Sequence, residues 1–293
     1  MTAKRKRKSG WASFFNTLLL AICIAIIAVL IYEHFRTPIL RATQTVVEKV
    51  EKAADRTAVS PGKAVYTDLE IPAPITNKDE QIIRHTGYTV SYNQTWRLPN
   101  WVAYELTREE TKGTATRTNK FIVDPSVKGV SATNQDYSRS GFDRGHMAPA
   151  GDMKWSSTVM KESFYFSNMC PQVPALNRGR WKDLEEQVRE WAVEDSALVI
   201  VCGPLVDKKD SAIGHNRVAV PHAFFKVVLA PYVSSPRAIG FIFRNEKDTS
   251  PLRSYAVSVD SVESLSGMDF FPALPDDLER KVEAQYNPSD WGI

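Results

Sequence analysis

Gly141-Phe142-Asp143-Arg144-Gly145-His146-Met147-Ala148-Pro149-Ala150-Gly151-Asp152-Met153-Lys154-Trp155 sets an aspartate, an arginine and a histidine within four positions, between glycines and prolines. That punctuation belongs to loops and strand edges rather than to a core face. An imidazole with an ordinary pKa of about 6.5 accepts a proton near neutral pH, and a guanidinium beside it neutralises a phosphate or an oxyanion. Taken alone, the stretch reads equally well as a surface histidine with a salt-bridged neighbour. Blocks farther along the chain decide between the two.

Downstream, Phe166-Ser167-Asn168-Met169-Cys170-Pro171-Gln172 is followed by Leu176-Asn177-Arg178-Gly179-Arg180-Trp181 and then by Leu184-Glu185. Val220-Pro221-His222-Ala223-Phe224-Phe225-Lys226 and the late Gly267-Met268-Asp269-Phe270-Phe271-Pro272 extend the series, which runs over most of Gly141 to Pro272. In order and spacing these blocks resemble the DNA/RNA non-specific endonucleases, the ββα-metal or His-Me finger family that includes endonuclease G. The family's signature corresponds to Asp143-Arg144-Gly145-His146. The resemblance implies hydrolysis of internal phosphodiester bonds in DNA and RNA with little sequence preference, leaving 5′-phosphate ends. By position it makes His146 the general base, Asn177 the protein ligand of a magnesium ion, and Glu185 a metal-site carboxylate acting largely through water. Arg144, Asn168 and Arg117 would support the phosphate and the base, and Asp143 would orient the motif. Manganese is the alternative ion, and the family favours a homodimer.

Phosphodiester hydrolysis asks for these residue types. The attacking water must lose a proton as it reaches phosphorus, which suits His146. Negative charge then builds on the phosphoryl oxygens and the leaving 3′ oxygen, where a divalent ion and a guanidinium stabilise it. A single asparagine is a weak ligand, as magnesium tolerates, because that ion keeps most of its waters. If Asn177 and Glu185 share one helix, their backbones lie about 12 Å apart along its axis. That spacing fits one direct ligand and one water-bridged carboxylate. No P-loop, H-E-x-x-H or G-x-S-x-G pattern competes.

The surrounding pattern predicts an α+β domain from about Ile75 to the C-terminus, with a central mixed or antiparallel sheet. Ala197 to Val201, Phe224 to Leu229 and Ala238 to Phe243 are largely apolar runs expected as buried strands. Trp181, Leu184, Val188 and Trp191 recur at helical spacing and predict one apolar face on a charged helix. The two tryptophans are therefore expected in the core rather than stacked on bases.

Ahead of the domain, Leu18 to Ile31 is an unbroken apolar run within Trp11 to Tyr32, long enough to span a bilayer. The basic segment 1–10 precedes it, and no small-x-small cleavage site follows, so the span is expected as one uncleaved transmembrane signal anchor. A cleaved signal peptide is the other reading. Basic residues on the N-terminal flank predict a cytoplasmic N-terminus and an extracytoplasmic, periplasmic or cell-surface, catalytic domain. A mitochondrial presequence would be amphipathic and less continuously apolar, which leaves the mitochondrial inner membrane as the lesser alternative. Residues 33–74 read as a stalk, broken at Ser60-Pro61-Gly62 and Ile71-Pro72-Ala73-Pro74.

Charge adds no support for nucleic-acid binding. Lys4, Arg5, Lys6, Arg7 and Lys8 carry five of the positive charges, and the formal +3 becomes −2 without them. A phosphate-binding surface must then be a local basic cleft. Cys23, Cys170 and Cys202 form no zinc-spaced cluster, and Cys170 and Cys202 are expected as buried free thiols. His34 and His85 are expected at the surface, and His215 and His222 as hydrogen-bonded packing residues. The rival from another class is a membrane-tethered nucleic-acid-binding protein without catalysis, which would need the arginines but neither His146 nor Asn177 and Glu185.

Overall fold

The computed structural model describes residues 66–293. The basic segment, the apolar span Trp11 to Tyr32, His34, Cys23 and the stalk up to Val65 lie outside the described residues. Among the described residues, no helix is long and apolar enough to cross a membrane.

The apolar runs become strands of a seven-stranded sheet. It is built from β1 (Gln81–Arg84), β2 (Thr89–Asn93), β3 (Leu98–Thr107), β6 (Ala197–Leu205), β9 (Ala223–Ala230), β10 (Arg237–Arg244) and β11 (Ala256–Val257), hydrogen-bonded in that order. Every pairing within it is antiparallel, which resolves the expected mixed or antiparallel sheet. The central strands are apolar on both sides because both sides are covered. Leu198, Ile200 and Cys202 of β6 join one core with Phe224 and Val228 of β9, while Val199 and Val201 join the other with Phe225 and Val227.

Each face recruits its own layer. Among the helices, α1 (Asn134–Tyr137), α2 (Ser157–Glu162) and α3 (Pro174–Asn177) are short, and α4 (Arg180–Asp195) is the longest described. Trp181, Leu184, Val188 and Trp191 of α4 are buried on the first face, as their spacing predicts. Each such side chain contributes roughly 1.5–3 kcal/mol by leaving water. On the second face pack α5 (Val259–Ser266) and α6 (Asp276–Ala284), through Val259, Val262 and Val282. Cys170 and Cys202 are buried free thiols.

The domain begins earlier than its sequence suggests. Leu69 is 3% exposed in the second core, and the Ala73 N–H donates to the Asp269 carbonyl at 2.9 Å. Residues 66–74 therefore belong to the folded unit rather than to the stalk. Their prolines break helix, but an extended segment laid on a sheet tolerates them as well as a linker does.

Two short strands stand apart from the main sheet. β4 (Asp143–His146) pairs antiparallel with β5 (Met169–Gln172), with His146 opposite Met169 and Gly145 opposite Cys170. Followed by α3 and α4, they form a ββα unit. A Cβ on Gly145 would overlap the side chain of Gln172, which is fully buried and would have to shift. Gly145→Ala should destabilise the protein by about 1–3 kcal/mol, read as a lower denaturant midpoint with an unchanged m-value.

Candidate active site

Alternation along β4 puts Arg144 and His146 on one side of the strand and Asp143 on the other. His146 is 7% exposed. Its ring stands edge-on to Phe164, with centroids 4.8 Å apart, and tilted against Phe121 at 5.7 Å. Burial, aided by the positive charge of Arg117, pulls its pKa down to about 3. The imidazole is therefore uncharged at neutral pH, and its Nε2 is buried without a hydrogen-bond partner among the described residues.

The backbone around His146 is clamped from several elements. Its carbonyl accepts the Trp181 indole N–H at 3.3 Å. The Met147 N–H donates to the Asn168 carbonyl at 3.0 Å, and the Met147 carbonyl accepts from the Cys202 thiol at 3.1 Å. Asn168 is wholly buried: its Oδ1 accepts from Ala148 N–H at 2.8 Å, and its Nδ2 donates to the carbonyls of Ala148 (2.9 Å) and Ser163 (2.8 Å). With its amide engaged by backbone, Asn168 acts on the base through the position of the chain and does not reach a phosphate itself.

Asp143 organises the other side of the strand. It accepts two hydrogen bonds from Arg178, at 2.7 and 2.8 Å, and one from Asn177 Nδ2 at 2.9 Å. Burial opposes its ionisation, but the hydrogen bonds from Arg178 and Asn177 outweigh it and hold the carboxyl below its ordinary range. Asn177 donates one amide N–H to Asp143, which turns its Nδ2 rather than its carbonyl oxygen towards that carboxylate.

Glu185, on α4, shows the opposite balance. Burial pushes its pKa up to about 8; the Lys226 ammonium counteracts this, the Asp152 carboxylate adds to it, and Arg189 and Arg117 counteract it further. Arg117 thus acts electrostatically on both His146 and Glu185, favouring the neutral form of the first and the ionised form of the second. Its guanidinium also lies 4.9 Å from the Phe164 ring centroid. Arg144 sits against Phe121 and Tyr137, at 5.3 and 5.4 Å, and its Nε is buried without a hydrogen-bond partner among the described residues.

Several expectations require correction. Asn177 and Glu185 do not share a helix: α3 ends at Asn177, Gly179 intervenes, and α4 begins at Arg180. A Cβ on Gly179 would meet the Ala175 carbonyl oxygen, so the break depends on glycine. The axial-spacing argument for a direct and a water-bridged ligand therefore loses its premise. His85 is not a surface residue, since its side chain is 5% exposed and pairs with Asp124 at 2.9 Å. His215 is exposed rather than packed, and His222, also exposed, bonds Asp210 at 3.0 Å.

The sequence reading passed over a buried charge network. Asp152 accepts from Arg189 and from the Tyr104 hydroxyl, each at 2.8 Å. Lys226 is 1% exposed and lies 4.7 Å over the Trp181 ring. Signals for all three existed: Asp152 closes the quoted motif, Arg189 follows Glu185 by one helical turn, and Lys226 interrupts an otherwise apolar strand.

The donor set fits a hard divalent cation. An amide oxygen at Asn177 and a carboxylate whose burial disfavours its charge suit an oxygen-seeking ion, whose positive charge would favour the ionised Glu185.

Comparison with known proteins shows the family. The family model described as DNA/RNA non-specific endonuclease matches residues 66–277. The mitochondrial nuclease EXOG of Mus musculus is 40% identical over 209 residues, which cover 65% of this chain and 57% of that protein. The chain thus spans less than two thirds of the length of that relative. Nuclease C1 of Cunninghamella echinulata var. echinulata is 37% identical over 223 residues, 70% of this chain and 88% of that protein. A solved structure titled as the EndoG/EndoGI complex superposes with a TM-score of 0.64 at 32% identity, covering 69% of this chain and 89% of that one.

The suppressed charge on His146 has a measurable consequence. Metal-free wild type should lose stability relative to His146→Gln as pH falls from about 6.5 towards 3, because the unfolded imidazole takes up a proton that the folded one refuses. Within that window each pH unit costs about 1.4 kcal/mol. Thermal melts of both proteins between about pH 8 and pH 4 measure the gap, and a gap that stays constant would mean that His146 is not held uncharged.

Proposed function

Since the chain belongs to the DNA/RNA non-specific endonuclease family, we propose that it hydrolyses internal phosphodiester bonds of DNA and RNA with His146 as the general base. The observation that carries this reading is the uncharged His146 imidazole, whose buried Nε2 has no hydrogen-bond partner among the described residues and so offers a lone pair to an incoming proton. Water gives that proton to His146 as its oxygen bonds to phosphorus; the bond from phosphorus to the 3′ oxygen then breaks, and the phosphate stays on the 5′ end. A bound phosphodiester, being anionic, raises the affinity of the buried imidazole for the proton it receives. Arg144 and Arg117 neutralise the phosphate, and Asp143 orients Asn177 through the hydrogen bond to its amide. Asn177 and Glu185 would hold the metal, magnesium in our reading with manganese as the alternative. Such an ion, when bound, stabilises charge on the phosphoryl and leaving oxygens.

Chelation should abolish plasmid cleavage by the purified protein, and magnesium should restore it. His146→Ala should lower turnover by about 10²–10⁴-fold while retaining nucleic-acid affinity, because affinity comes mainly from phosphate neutralisation. Cleavage rate and binding are measured side by side, with circular dichroism as the check on folding. Binding without cutting in the wild type would instead identify a nucleic-acid-binding protein.

We also propose that Trp11 to Tyr32 anchors the protein in a membrane as a single-pass span with the basic flank cytoplasmic. The EXOG and endonuclease G relatives are named as mitochondrial, so the mitochondrial inner membrane is tested beside the extracytoplasmic face. The full chain should stay with membranes after a high-salt wash. Recovery as a soluble fragment lacking the residues before about Glu33 would show the span to be a cleaved signal.

A further inference from the structure

The sheet face opposite the ββα unit carries a second concentration of charge. On α5, Asp260 and Glu263 are three residues apart and share a side; on α6, Glu279 and Glu283 are four apart and do the same. Asp269 lies in the connection between the two helices. Ligand atoms of Asp260, Glu263 and Glu283 all lie within 4.8 Å of one another, and so do those of Asp269, Glu279 and Glu283. Glu283 is common to both groups and bridges the two helices. Like charges at these spacings repel, so the arrangement stands only if something offsets the repulsion.

Neighbouring cations offset little of it: Arg280 favours an ionised Glu279, but burial and the carboxylates of Asp269 and Asp276 outweigh it. Among the described residues, none of these five acids has a basic partner in an ion pair: Arg280 on α6 pairs with Asp277, and Lys78 donates to the Ser266 carbonyl at 2.8 Å. Glu263 does accept a backbone hydrogen bond from Phe270, at 2.8 Å. Glu283 is the telling residue, since it is 6% exposed and its Oε1 is buried with no hydrogen-bond partner among the described residues. A buried carboxylate oxygen with nothing to accept from is costly unless a proton or a metal ion occupies it.

We propose that Glu283, with Asp260 and Glu263 on one side and Asp269 and Glu279 on the other, forms a binding site for a hard divalent cation of the calcium class. Oxygen-only donors suit calcium, which accepts six to eight such ligands in flexible geometry, and each group of three carboxylates around Glu283 supplies part of that number. The site is separate from the nuclease centre, because α5 and α6 pack on the sheet face that α4 does not cover. Its effect is to tie α5 to α6 across their facing acids. Burial and mutual repulsion push Glu263 and Glu279 above the ordinary carboxylate range and Glu283 up to about 8, the condition that a bound cation relieves.

The test uses the full chain, stripped of metal and titrated with calcium alone. The melting temperature of wild type should rise with calcium concentration, and that of Asn177→Ala should rise equally, since Asn177 belongs to the nuclease centre. Glu283→Gln should weaken the apparent calcium affinity by at least about tenfold and leave magnesium-dependent plasmid cleavage unchanged. Equilibrium dialysis with radioactive calcium counts ions directly, with one fewer expected for Glu283→Gln than for wild type. If Glu283→Gln fails to fold, Asp269→Asn, an exposed position, serves the same measurement with the same expectation. Equal stoichiometry in wild type and variant overturns the site. So does a wild type indifferent to calcium beside a Glu283→Gln variant more stable than it, which would identify carboxyls sharing a proton.

Discussion

Strands β3, β6, β9 and β10 carry apolar side chains on both faces, so neither face of the sheet can be left to water. Most of the architecture follows from satisfying both. One face takes the tryptophans and aliphatics of α4, and with that helix comes the ββα unit that holds His146. The other takes α5 and α6 together with residues 66–74, which lie in the second core and bond the α5–α6 connection. Two chemically distinct regions, one basic around a buried imidazole and one acidic, are thereby kept on opposite sides of one sheet.

Desolvation acts on the two central groups of the candidate active site with opposite sign and the same outcome. It removes the proton from His146, whose charged form is the cation, and retains the proton on Glu185, whose charged form is the anion. Both groups are thus driven towards neutrality in the free protein. The nearby Arg117 favours a neutral His146 but an ionised Glu185, and a metal ion would move Glu185 in the same direction. An anionic phosphodiester beside His146 would do the reverse, raising the proton affinity of its imidazole. The Trp181, Asn168 and Cys202 contacts keep the backbone around His146 in place.

The errors in the sequence reading have physical causes in particular residues. His85 carries no local sign of burial; its partner Asp124 is 39 positions away and meets it only because the chain returns there. His215 sits beside β8 (Val218–Ala219), which is two residues long and buries little, and His222 lies in the bend just before β9, outside the strand whose residues are buried. The break between Asn177 and Glu185 rests on the close approach of the Gly179 and Ala175 backbones, where the surrounding residues otherwise read as helix.

By itself the sequence determined what depends on local order: the alternating and continuous apolar runs that became strands, the helical spacing of Trp181 to Trp191, and the identity of the residues in the Asp-Arg-Gly-His block. These are properties of neighbouring positions, and neighbouring positions carry them. Only the tertiary structure decided the rest. It withdrew His146 from water beside Phe164, saturated Asn168 with backbone hydrogen bonds, gathered Asp152, Arg189 and Lys226 around Glu185, and left Glu283 buried among four other acids. Burial and electrostatic environment are sums over distant parts of the chain, and no window of sequence contains the terms.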